Sequence, residues 1–212
     1  MKRRPRKRIF LQPPRLTWDF IREKTEEFRN NYVKPSVRAP VPIVEIVEAD
    51  LKIEPIPIEG LLEKIDIDGF LTRDLKCICI DNRIYSDKRQ ENRLCFTFAH
   101  EVGHLILHSK EIQQCDFRTP EDWLHFREDF LEDDLNWFEQ HAYEFAGRLL
   151  VPKDALKNEL DYLQEKVNQF RTRFVNMDEE LIDMVSRIIC RKFKVSPGVI
   201  QRRIRKEKLW KY

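Results

Sequence analysis

The spacing of apolar residues along this 212-residue chain changes twice. Leu16, Phe20, Phe28 and Tyr32, with Thr25 between them, recur at roughly helical intervals and predict an amphipathic helix over about 16–32. Pro35, Pro40 and Pro42 interrupt the chain. A short helix is expected from Pro42, whose ring suits a first helical turn, through Ile43, Ile46 and Val47. Between 52 and 81 the pattern shortens to alternation in KIEPIPI, EKIDIDGFL and LKCICID, with Gly60 and Gly69 as punctuation. These segments predict three short strands of an antiparallel sheet, and the polar DNRIYSDKRQEN that follows reads as a loop. From about residue 93 the helical period returns and persists, so the expected fold is α+β and mainly helical.

Composition narrows this picture. A hydrophobic content of 42% over this length suits one full core with a small appendage. No apolar run approaches the roughly 18 residues of a membrane span. MKRRPRKRIF has the charge of a signal-peptide start, but LQPPRLTWDF places prolines, an Arg and an Asp where an apolar core should follow. The five cysteines are odd in number and lack a disulfide-framework spacing, and together these features predict a cytoplasmic protein. Cys77 and Cys79 form a CxC, expected to be free thiols on a buried strand face because no second Cys or His pair stands nearby. The net charge of +2 hides a division: six basic groups in residues 1–8, nine against Glu207 in 191–212, and −12 between them. Basic ends suit an acidic surface such as nucleic acid, and an acidic middle suits a basic partner.

The chemistry concentrates in RLCFTFAHEVGHLILH, residues 93–108. Leu94, Cys95, Phe98, Ala99, Val102, Leu105 and Ile106 form one apolar stripe, leaving Thr97, His100, Glu101, His104 and His108 on the other side. Imidazoles at i and i+4 can bind one Zn²⁺, and Glu101 beside them can hold and deprotonate the attacking water. His108 lies about 12 Å along the axis from His100, too far to share the ion in a straight helix, and is expected to close the helix C-terminus.

A catalytic zinc wants a third protein ligand. In LNWFEQHAYEFAGRLLVP, Glu139 falls inside the apolar arc made by Leu135, Phe138, Ala142, Phe145, Ala146, Leu149 and Leu150. Glu144 joins Gln140, His141 and Arg148 on the polar side and reads as solvated. A carboxylate within an apolar stripe needs compensation, which a metal ion with two histidines, or a buried Arg, would supply.

These two stretches resemble the ImmA/IrrE zinc metallopeptidases, whose pattern is approximately RxRFTxAHExGHxxxH followed by ExxANxFAxxLLxP. Here they read RLCFTFAHEVGHLILH and EQHAYEFAGRLLVP, and IDIDGFLTRDLKCICID resembles the family's small sheet. The resemblance covers about residues 16–155. It implies a zincin-like minimal metallopeptidase with His100, His104 and Glu139 as zinc ligands and Glu101 as the catalytic glutamate. Cys95 departs from the family's basic residue, and Tyr143 from its Asn or Asp. In related zinc peptidases the latter orients a zinc-bound histidine; a tyrosine hydroxyl could do so or face the substrate oxyanion. His125 and His141 are further oxyanion candidates. Family members cut a transcriptional repressor, usually a helix-turn-helix protein. The acidic EDWLHFREDFLEDDLNWFE would attract such a basic partner.

The expected organisation is a basic tail over 1–15, a metallopeptidase domain over 16–155 and a C-terminal helical segment over 156–212. After a helix from 153 to 170, FKVSPGVIQRRI resembles the turn and second helix of a helix-turn-helix, with Ser196 as N-cap and Pro197 as first helical residue. Gln201, Arg202 and Arg205 then stand at groove-facing positions for a weak DNA contact. Against the zinc endopeptidase stand two other readings: a non-enzymatic regulator or toxin-antitoxin or phage component with a structural zinc, and a zinc hydrolase acting on a non-peptide substrate.

Overall fold

Thr17 opens the first helix, α1 (Trp18–Tyr32), its hydroxyl accepting the Phe20 N–H at 3.2 Å. The structure is a computed structural model that describes residues 13–36, 39–114, 132–171 and 177–210. The buried face of α1 is Ile21, Thr25 and Phe28, and Thr25 satisfies its hydroxyl on the Ile21 carbonyl at 2.7 Å. Helix α2 (Ile43–Glu45) runs directly into a π-helical turn (Ile46–Asp50), with Ile43, Ile46 and Val47 buried.

The sheet consists of β1 (Glu54–Ile58), β2 (Gly69–Leu71) and β3 (Cys77–Asp81), in the order β1-β3-β2. It is mixed rather than antiparallel: β2 pairs antiparallel with β3, but β1 pairs parallel with it, Glu54 opposite Cys77 and Ile58 opposite Asp81. The reason lies between β1 and β2. Leu61–Ile65 forms a short helix, α3, entered through left-handed Gly60 (φ 69°) and left through left-handed Asp66 (φ 54°). This crossover carries the chain past β3, and parallel pairing requires such a connection. At the hairpin, a Cβ on Gly69 would stand 2.6 Å from the Cys79 carbonyl oxygen, so only glycine lets β2 lie this close to β3.

The segment expected to be a loop holds helix α4 (Asn82–Ser86) and a 3-10 turn (Lys88–Gln90). Buried Asp81 organises it: one carboxylate oxygen accepts the Arg83 N–H at 2.9 Å and caps α4, while the other accepts the Leu62 N–H of α3 at 2.9 Å. Cys77 and Cys79 are free thiols, burial raises the pKa of both, that of Cys79 to about 12, and neither belongs to a metal-holding cluster among the described residues.

Helices α5 (Glu91–Gln114) and α6 (Glu132–Leu150) form the centre of the molecule. They cross where Gly103 meets Ala142: a Cβ on Gly103 would lie 3.1 Å from the Ala142 Cα and carbonyl oxygen and 3.3 Å from the Phe145 Cβ. Phe98, Val102, Phe145 and Leu149 seal the crossing from the core side. Helix α1 backs α6, with Phe28 edge-on to Phe145 at 5.8 Å and Arg29 donating to the Leu149 carbonyl at 2.8 Å.

Three helices follow, α7 (Lys153–Arg171), α8 (Asp178–Phe193) and α9 (Pro197–Lys206). The α8–α9 turn uses left-handed Lys194 (φ 52°), and Ser196 occupies the N-cap of α9 without a side-chain capping bond, followed by Pro197. Ile200 and Ile204 of α9 join the apolar cluster that contains Phe145 and Leu149. This docking overturns the expectation that Glu144 is solvated. Glu144 and Arg148 are buried and pair at 2.7 Å. Arg148 also pairs with Glu207 at 2.7 Å, and Arg203 with Glu207 at 2.9 Å. Helical phase marked that face of α6 as polar; α9 covers it with matching charge.

Gly103→Ala overpacks the α5–α6 crossing and should cost about 1–3 kcal/mol in denaturant unfolding. Burial alone pushes the Glu207 carboxyl up, but the Arg203 and Arg148 guanidiniums outweigh it and hold it below the usual carboxylate range. Its stabilisation is therefore complete above the unfolded pKa of about 4.3 and lost as pH falls through the lower folded value. The melting temperature should drop on that acid limb, and Glu207→Gln should flatten the drop.

Candidate metal centre

Helix α5 is buried on both faces, because α6 covers the side opposite its apolar stripe. Glu101 and His104 are almost fully buried, and His100 keeps only 12% of its side chain exposed. The i, i+4 spacing aims both imidazoles at the neighbouring helix. His100 Nε2 lies 3.0 Å from His104 Nε2 and 3.1 Å from Glu139 Oε2, and His104 Nε2 lies 3.8 Å from that oxygen. Among the described residues, this trio is the group of His, Cys, Asp and Glu side chains able to hold a metal ion.

The donor set fits zinc. Ligand atoms about 2.0–2.1 Å from a tetrahedral Zn²⁺ stand about 3.3 Å apart, close to the three separations here. Two imidazole nitrogens and a carboxylate oxygen this near one another repel unless a proton or a cation lies between them. Without a cation, burial would raise the Glu139 carboxyl, but hydrogen bonds and charge from His100 and His104 hold it well below its ordinary value. Burial would likewise lower His100, yet Glu139 and Glu101 carry it above the usual histidine value.

Glu101 points from the same helix into the same cavity and is held from the sheet: the Leu71 N–H donates to its Oε2 at 2.8 Å. One carboxylate oxygen is therefore fixed by β2. Burial, reinforced by the negative charge of Glu139, raises the Glu101 pKa. The cavity encloses about 350 Å³ and runs from Asp66–Leu71 on the sheet side to Phe138, Glu139 and Tyr143 on α6. Thr72 donates to β3 and the Asp68 carbonyl accepts from it, so by strand alternation the backbone groups of Gly69 and Leu71 face the cavity.

Tyr143 stands at its rim, 39% exposed, with its ring edge-on to His100 at 4.6 Å. It holds His100 by ring packing rather than through its hydroxyl, because His100 Nδ1 is buried without a hydrogen-bond partner among the described residues. Beyond Tyr143 and Phe96 a second chamber of about 570 Å³ opens between α5, α6 and α9. Arg202 lines it with its guanidinium 5.7 Å over the Tyr143 ring. Of the other α9 positions singled out for DNA, Gln201 bonds to Asp183 at 2.9 Å and Arg205 pairs with Glu179, both on α8.

His108 does not close the helix. The helix continues to Gln114 across a distortion at His108 (φ −133°, ψ 18°), and the side chain is completely buried. Its Nδ1 lies 3.1 Å from His104 Nδ1 and its Nε2 3.2 Å from His141 Nδ1. His141, expected on the polar side, is also completely buried, between Trp18 and Trp137. Burial lowers the pKa of His108 to about 2 and of His141 to about 4. Helical phase could not show either, because the covering residues come from α1 and α6. Cys95 is buried and its thiol is raised by burial to about 11. His125 and most of the acidic segment lie outside the described residues.

Replacing Glu139 with Gln should weaken zinc binding by at least about tenfold while leaving the fold intact, as read by competition with a chromophoric chelator.

The sequence profile of the IrrE N-terminal-like domain, of the peptidase M78 family, matches residues 48–205. No curated protein matches the chain.

Proposed function

The chain belongs to the ImmA/IrrE family of metallopeptidases, and from that premise we propose that it is a zinc-dependent endopeptidase that cuts a partner protein. The observation that carries this reading is the convergence of His100, His104 and Glu139 on one point, with the Glu101 carboxylate pinned beside it by the Leu71 amide. His100, His104 and Glu139 would hold zinc there, and it would supply a Lewis acid for the scissile carbonyl and the attacking water. Glu101 takes the proton from that water with the carboxylate oxygen Leu71 leaves free, and later passes it to the leaving amine. Its raised pKa in the absence of metal suits a group that must both accept and release a proton.

A polypeptide substrate fits the open edge of β2. Among the described residues that strand pairs on one side only, and the Gly69 backbone groups and the Leu71 carbonyl face the cavity, where an extended peptide can add as a further strand while the Leu71 N–H stays with Glu101. Tyr143 is the oxyanion-side donor in this reading: it reaches the cavity, whereas His141 is committed to His108. A structural zinc in a non-enzymatic regulator would leave Glu101 without a task at the metal position. The proposed substrate is a helix-turn-helix repressor, whose basic DNA-binding surface complements the acidic middle of this chain. No helix among the described residues is long and apolar enough to cross a membrane.

The test is cleavage of the helix-turn-helix repressor encoded beside this protein's gene, with zinc and with chelator. Cleavage should require zinc. Glu101→Gln should keep zinc and abolish cleavage, and wild-type cleavage by that variant would overturn the assignment. Tyr143→Phe should lower kcat about 100- to 1,000-fold with zinc affinity unchanged.

A further inference from the structure

His108 and His141 take no part in the reaction just described, yet both are completely buried. An imidazole so enclosed loses its hydration and needs partners for its nitrogens. Here other imidazoles partner three of the four nitrogens, and the fourth, His141 Nε2, has no hydrogen-bond partner among the described residues. His104 Nδ1 meets His108 Nδ1 at 3.1 Å, and His108 Nε2 meets His141 Nδ1 at 3.2 Å. Phe138 is stacked on His108 at 4.2 Å and tilted against His104 at 4.4 Å, so the rings cannot turn freely.

The direction of these hydrogen bonds follows from the metal position. His104 directs Nε2 towards His100 and Glu139. A nitrogen that gives its lone pair to a metal carries no proton, so the proton of neutral His104 sits on Nδ1. That N–H needs an acceptor, which makes His108 Nδ1 bare and puts its proton on Nε2. The Nε2–H in turn donates to His141 Nδ1, leaving the last proton on His141 Nε2. We propose that His108 and His141 are positioning residues, a chain of neutral imidazoles that fixes the tautomer and ring angle of His104 and keeps its Nε2 lone pair aimed at the metal. Helix α6 then serves the metal twice, directly through Glu139 and indirectly through His141 two residues on. Metal-bound histidines usually place their second N–H on a carboxylate, carbonyl or water; here a neutral imidazole takes that part.

This inference rests on the zinc site proposed above, and its test uses the full chain with Zn²⁺ itself. Long-range ¹H–¹⁵N correlation of the zinc-loaded wild-type protein should show His104 protonated at Nδ1 and both His108 and His141 at Nε2. A proton on Nδ1 of His108 in that state overturns the chain. Two substitutions separate hydrogen bonding from packing. His108→Phe keeps a ring against Phe138 but offers no acceptor, and should weaken zinc binding about 10- to 100-fold in chelator competition. His108→Asn places an oxygen near the lost Nδ1 and should stay within a few-fold of wild type. A purely structural His108 gives the reverse order, and that result sinks the proposal while leaving the zinc site standing. Failure of the wild-type chain to bind zinc would overturn the site and the chain together.

Discussion

The crossing of α5 and α6 at Gly103 and Ala142 sets the distance on which everything else depends. With no side chain on Gly103, the two backbones approach until Ala142 and Phe145 touch the α5 surface. Gly103 lies between Glu101 and His104, and Ala142 three residues after Glu139. The contact that brings the helices together therefore also brings a carboxylate from one within reach of two imidazoles from the other. A wider crossing would leave Glu139 in an apolar groove with nothing to compensate its charge.

Close approach has a second consequence: polar residues on both helices lose water together. Glu101, His104 and His108 on α5, and His141, Glu144 and Arg148 on α6, are all buried. They are partnered in separate groups. Glu101 is tied to the sheet through Leu71, the two inner histidines to each other and to His104, and Glu144 and Arg148 to α9. Breaking such groups singly is costly, because each loss strands a buried partner. The histidine group and the ion pairs to α9 thus hold α6 from two sides, and Glu101 ties α5 to the sheet, while one side of the metal position stays open to the cavity.

The C-terminal helices take part in that arrangement. Arg203 and Glu207 close the ion network over α6, and Arg202 covers the ring of Tyr143, which packs on His100. Helix α9 is in this way part of the wall of the cleft. Two of the three side chains expected to face a DNA groove are engaged with α8, Gln201 with Asp183 and Arg205 with Glu179.

Much of the site was legible before any folding was considered, because its logic is local. The i, i+4 pair of His100 and His104 needs only helical periodicity, and the place of Glu139 in an apolar arc shows that something unusual must stabilise it. The mainly helical α+β class and the α8–Lys194–α9 turn follow from the same periodicity and from Ser196 and Pro197. Features that depend on what lies across a gap were not legible. The alternation of EKIDIDGFL is shared by a strand and by a short helix between two left-handed residues, so the mixed sheet could not be told from an antiparallel one. Phase along α6 marked Glu144, Arg148 and His141 as polar, which they are, but polarity does not say whether water, an opposite charge or a second imidazole supplies the partner. The sequence by itself determined which residues face which side of each helix. The tertiary structure alone decided which of those sides meets solvent, because burial is a property of pairs of elements and no single element carries it.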